Sequence, residues 1–274
     1  MFRSSLRLLA AAGALSAACL AQAANQLDPS PDFVQPAGAI DANAAVLAAI
    51  RNMPSGGRYS ASQAAFEGLG RAISVGYGGL RIDPMVAQPS FCSSATYLVF
   101  VQAIDQLSRQ GGFAMDAQTL SGLLVSHQRD GQGIWGRWNA NGPGTARLFA
   151  ELKLGRNFAD MADARPGDFM KIFWNDEIGQ KEHGHSVVFL GVNSVGGKDY
   201  VRFWSSNIPS NPGDLSGYGE KIVPRTKIVR TIFSRLETPA NITRLRTINP
   251  TDSFLAGLLS HRATIDEVRR LCDF

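Results

Sequence analysis

Hydrophobic periodicity changes once along this 274-residue chain, and that change constrains the fold more than any single motif does. Up to about residue 154 the apolar residues recur at helical spacing; beyond Pro166 they alternate. The first half predicts helices over 41–52, from Ser60 to Ile73, from Phe91 to Arg109, a shorter one capped by Asp116, and one over 145–154. Ser60 with Gln63 reads as a capping box, and the glycines at 76, 78 and 79 close that helix. The second half predicts strands over 169–174, 186–192, 200–205 and within 221–235, followed by short helices over 252–259 and from Thr264 to Leu271. Connections this short cannot carry parallel crossovers, so the expected class is α+β, with N-terminal helices packed on an antiparallel sheet and strand and helix additions at the C-terminus.

The first 23 residues read as a secretory signal. Arg3 and Arg7 precede an apolar run from Leu8 to Leu20, and Ala21-Gln22-Ala23 supplies small residues two apart. The run is shorter than the roughly 20 residues a bilayer span needs, so no integral membrane segment is expected after processing. Cys19 lacks the leucine three positions before it that marks a lipidation site. Residues 24–40 carry Pro29, Pro31 and Pro36 and read as a flexible arm, leaving 41–274 as one domain. Export without Arg3 and Arg7 leaves 25 of the 27 basic residues against 23 acidic ones, a balance that argues against a nucleic-acid partner. Three cysteines are too few for a disulfide scaffold, and no CxxC or HExxH suggests a local zinc site.

Candidate chemistry begins at Cys92, at the start of the helix from Phe91 to Arg109. A thiol there faces the unpaired N–H groups and positive dipole end that favour a thiolate. The competing readings are a buried cysteine acting as a small hydrophobe, and a Cys92–Cys272 disulfide. His185 opens an apolar strand after Gly184 and is the candidate base; His183 competes from the turn, while His127 and His261 have no neighbours that suggest chemistry. The third group, which orients the imidazole, is Asn207 or Ser205 on the next strand. The segment from Asp130 to Thr145 combines five glycines with Trp135 and Trp138 and reads either as a binding loop whose indoles contact substrate or as a structural loop whose indoles fill the core.

Taken together, the helix-start Cys92, the turn Arg165-Pro166-Gly167-Asp168 opening a strand, Gly184-His185 opening the next, and a polar residue on the third resemble the NlpC/P60 superfamily of papain-like cysteine peptidases and amidases, including its CHAP branch. The resemblance spans about Ser90 to Asn207 and implies a papain-like fold in which Cys92 is the nucleophile, His185 the base and Asn207 or Ser205 the third position. It also implies peptidoglycan or another peptide as substrate, a periplasmic or secreted location, and no metal or organic cofactor. The family's usual Asp-Cys-Ser-Gly reads Phe91-Cys92-Ser93-Ser94 here. Asp168 is expected to hold its turn together rather than to react. The same Cys–His pair would also suit an acyltransferase or deamidase, and an inert Cys92 would suit a non-catalytic envelope-binding module.

Overall fold

The computed structural model describes residues 41–274; the predicted signal and arm, residues 1–40, lie outside the described residues. Helix α1 (Ala42–Arg51) is capped by Asp41, whose carboxylate accepts from the Ala44 amide at 3.1 Å. Helix α2 (Gln63–Ala72) begins at Ser62 rather than Ser60: the Ser62 hydroxyl accepts from Ala65 N–H, and Ser60 donates to Ser62 instead of capping. The glycines expected to end that helix form the turn of a hairpin, β2 (Ile73–Gly76) with β3 (Gly79–Ile82). Helix α3 (Cys92–Arg109) is central and buried on nearly all sides, from Ser93 through Leu107. Helices α4 (Ala117–Gly122), α5 (Gly133–Asn139) and α6 (Gly144–Leu152) follow.

Seven strands form one antiparallel sheet in the order β1-β8-β7-β6-β5-β9-β4. They are β1 (Gly56–Gly57), β4 (Gly155–Phe158), β5 (Phe169–Phe173), β6 (Gly184–Val195), β7 (Lys198–Asn207), β8 (Gly217–Pro224) and β9 (Arg230–Leu236). The class is therefore α+β with helices against an antiparallel sheet. Alternation decides which strand residues face the helices: Val188 and Leu190 of β6 join the core around α3, while Val187 and Phe189 join a second apolar cluster with Val201, Phe203 and Phe233. The short strands β1 and β4 carry too few residues to show a period, and the sequence reading missed both. At the C-terminus, α7 (Ser253–Gly257) and α8 (Ile265–Cys272) start where Asp252 and Thr264 predict, each cap accepting from the backbone three residues on.

The glycine-rich segment is neither an open loop nor a display of exposed indoles. It folds as α5 around Arg137, whose fully buried guanidinium donates to the carbonyls of Gly131, Gly133 and Asn249 and pairs with Glu151 at 2.7 Å. Gly136 is needed because a Cβ there would stand 2.0 Å from the Arg129 carbonyl oxygen. Trp135, 1% exposed, packs edge-on against Tyr97 and Phe91; Trp138, 2% exposed, stacks on Phe100. The expectation that the indoles bind substrate is corrected for Trp135, which burial of its large aromatic surface places in the core; Trp138, equally buried, also lines the cavity that opens beside Cys92. No helix among the described residues is long and apolar enough to cross a membrane.

Candidate active site

Two serine-threonine contacts clamp the start of α3 to the sheet. On one side the Thr96 hydroxyl meets Ser186 Oγ of β6 at 2.9 Å; on the other Ser90 Oγ donates to Ser206 Oγ of β7 at 2.8 Å, and Ser206 Oγ donates to the Ser90 carbonyl. Trp138 Nε1 donates to the same Thr96 oxygen, so the indole braces the clamp from behind. Cys92 is thereby held at the mouth of the sheet between β6 and β7. Phe91, the N-cap, offers no side-chain acceptor, which leaves the amides of the first turn to interact with negative charge at Cys92.

His185, second residue of β6, hydrogen-bonds Cys92, and its Nε2 lies 3.1 Å from Asn207 Oδ1 on β7. The Asn207 amide cannot turn: Nδ2 donates to the carbonyls of Gly219 at 2.8 Å and Ser205 at 3.2 Å, so Oδ1 is the atom presented to the imidazole. An acceptor on Nε2 fixes the tautomer and leaves Nδ1 to the thiol. Ser205, the alternative third residue, is fully buried and donates to the Ser186 carbonyl at 2.7 Å; it fastens β7 to β6 and does not meet His185. His183 is exposed, and its amide donates to Asn175 Oδ1 in the preceding turn.

Burial alone pushes the Cys92 thiol up. The His185 hydrogen bond, the His185 charge, the Ser186 backbone N–H and the Lys171 ammonium together outweigh it, and the net result is a thiol lowered from 9.0 to about 7. Cys272 behaves oppositely. It is fully buried, and burial pushes its thiol up to about 12, so it is an unreactive core residue. Both cysteines are free, and the alternative of a Cys92–Cys272 disulfide is corrected: Cys272 packs in a separate cluster with Ile232 and Val268.

Sequence reasoning missed Tyr59. The run Gly56-Gly57-Arg58 adopts positive φ throughout, and a Cβ at Gly57 would collide with the Gln88 side chain at 2.2 Å. That turn lets Ser60 N–H donate to the Ser90 carbonyl and brings Tyr59 beside Cys92; burial and the Cys92 charge hold its phenol up to about 12. No local pattern could have flagged it, because 33 positions separate it from Cys92 and only the strap formed with Ser90 joins them.

Gly184 has a steric reason to precede His185. A Cβ there would stand 2.4 Å from Glu182 Oε1 and 2.6 Å from Lys171 Cε, the two members of an ion pair of 2.6 Å. A cavity of about 450 Å³ opens beside Cys92 and is bordered by this pair, Ser93, Asn139 and Asp130. Asp168 is structural, as expected: fully buried, it accepts from Arg235 Nε and Nη2, Asn43 Nδ2 and the Arg165 amide. We expect Asn207→Ala to lower turnover of any Cys92-dependent reaction by roughly tenfold or more, since the imidazole loses the acceptor on Nε2 that orients it; unchanged kcat would show that His185 is positioned by other contacts. No family model, no curated protein and no solved structure matches the chain.

Proposed function

We propose that this protein is an exported cysteine hydrolase of papain-like, NlpC/P60 type, cutting amide bonds in peptidoglycan through Cys92, His185 and Asn207. The observation that carries the reading is the meeting of these three side chains, from a helix start, a strand start and a strand end, with the thiol lowered to about 7. Cys92 Sγ attacks the amide carbonyl carbon. The charge on the carbonyl oxygen is received by N–H groups of the first turn of α3, with the protonated Tyr59 phenol at hand as a further donor. His185 Nδ1–H protonates the amine as the C–N bond breaks, leaving a thioester. Water then gives a proton to His185 as it attacks, the C–S bond breaks, and a carboxylic acid leaves.

The test is mass spectrometry of purified peptidoglycan incubated with the protein and with Cys92→Ala. New fragments whose paired masses sum to the parent plus one water, absent with the variant, are the expected result. Identical profiles would remove the proposed substrate.

A further inference from the structure

The cavity beside Cys92 is bordered by three charged side chains, and they are not equally satisfied. Glu182 is fully engaged: Oε1 pairs with Lys171 Nζ at 2.6 Å, and Oε2 accepts from the amides of Gly142 at 2.5 Å and Gly179 at 2.9 Å. The same contact supplies Lys171 with its ion-pair partner. Asp130 receives only uncharged donors, Asn139 Nδ2 at 3.2 Å and the Asn141 backbone N–H, and among the described residues no cation lies within ion-pair distance. Its position is set by the site itself, because Asn139 Oδ1 accepts from Ser93, the neighbour of the nucleophile, at 2.7 Å. Burial raises the Asp130 carboxyl above its ordinary value, with the two asparagines and the more distant Lys171 opposing only in part. A part-buried carboxylate that has no ion-pair partner among the described residues and borders a cavity of about 450 Å³ is complementary to positive charge.

We propose that this cavity is the subsite for a positively charged side chain of the substrate, an ammonium on an alkyl tether, selected by Asp130. The tether follows from the layout: the whole Asn139 amide stands between Ser93 and Asp130, so an ammonium reaching the carboxylate hangs from a chain rather than from the carbon next to the attacked carbonyl. The proposal rests on Cys92 being the nucleophile and extends that reading to substrate selection.

Thiol modification tests it without requiring turnover. The full chain is treated with aminohexyl, hydroxyhexyl and aminoethyl methanethiosulfonates; the Cys92 thiolate forms a mixed disulfide with the reagent sulfur and expels methanesulfinate. Rates at Cys92, located by peptide mapping, are divided by those of free 2-mercaptoethanol with the same reagent. The expected result is an aminohexyl rate about fivefold above the hydroxyhexyl rate, a ratio near one in Asp130→Asn, and a smaller preference for the short aminoethyl reagent. Equal aminohexyl and hydroxyhexyl rates in the wild type, a preference that survives Asp130→Asn, or an aminoethyl preference as large as the aminohexyl one would each overturn it. Should Asp130→Asn not fold, the wild type decides: its aminohexyl preference must fall as acid protonates Asp130, and a preference constant with pH overturns the proposal. A Cys92 inert to all three reagents in the folded protein refutes the nucleophile itself, a different result from a reactive Cys92 without charge preference.

Discussion

Replacing His185 with alanine slows alkylation of Cys92 by iodoacetamide at pH 7 by roughly fiftyfold. The reason is the balance at the thiol. With the value lowered to about 7, around half of Cys92 is thiolate at neutral pH; without the imidazole, burial works against only the Ser186 N–H and the Lys171 charge, and the thiol returns to its ordinary value near 9.0 or above. The sign is fixed by which form reacts. The rate climbs with pH as the proton leaves, so the wild-type profile has its midpoint near 7 and that of His185→Ala lies about two pH units higher, the two converging in alkali. Superimposable profiles would mean that His185 does not activate Cys92. Cys272 does not confuse the measurement, because its buried thiol stays protonated across this range.

Replacing Asp168 with alanine destabilises the fold by about 3–5 kcal/mol, the usual cost of removing one partner from a buried ion pair. Arg235, 5% exposed, would keep its charge while losing the bonds of 2.8 and 2.6 Å that now satisfy it, retaining the Asp163 carbonyl and the face of the Phe158 ring. Asn43 of α1 would lose one of its two acceptors, keeping the Pro166 carbonyl, and the amide of Arg165 would lose the carboxylate, so Asp168 ties the first helix, the turn before β5 and strand β9 together. A chain of this size should lose on the order of 10 °C in melting temperature. Urea denaturation gives the free energy directly. A loss below about 1 kcal/mol would show that water relieves Arg235 and that the network is dispensable. The effect should appear in stability while the pH profile of Cys92 alkylation in the folded protein stays in place, which separates the turn from the chemistry.

Helix starts were readable where a cap and its acceptor amide lie three residues apart. Asp116 and Thr264 cap as predicted, and Asp41 and Asp252 cap the helices expected over 41–52 and 252–259. Ser60 misled because Ser62, two residues on, is also a hydroxyl with the extended backbone that capping requires. The hairpin β2–β3 was invisible for a related reason: glycines that stop a helix and glycines that turn a hairpin are the same residues, and Ile73 to Gly76 is too short for alternation to show. At the site, Cys92 and His185 stood out because each begins a periodic element. Tyr59 and Asp130 did not, because each lies in an irregular segment without a pattern of its own.

The sequence by itself determined what depends on neighbours a few residues apart: helices followed by strands, an antiparallel sheet, and a thiol at the first position of a long helix. Tertiary structure alone decided that Asn207 rather than Ser205 meets the imidazole, that Trp135 and Trp138 lie inside, and that Cys92 and Cys272 remain apart. Burial and hydrogen-bond partnership are set by contacts between distant positions, such as Thr96 with Ser186 and Ser90 with Ser206, and a period read over a few residues carries no information about which of two polar side chains such contacts will leave free to act.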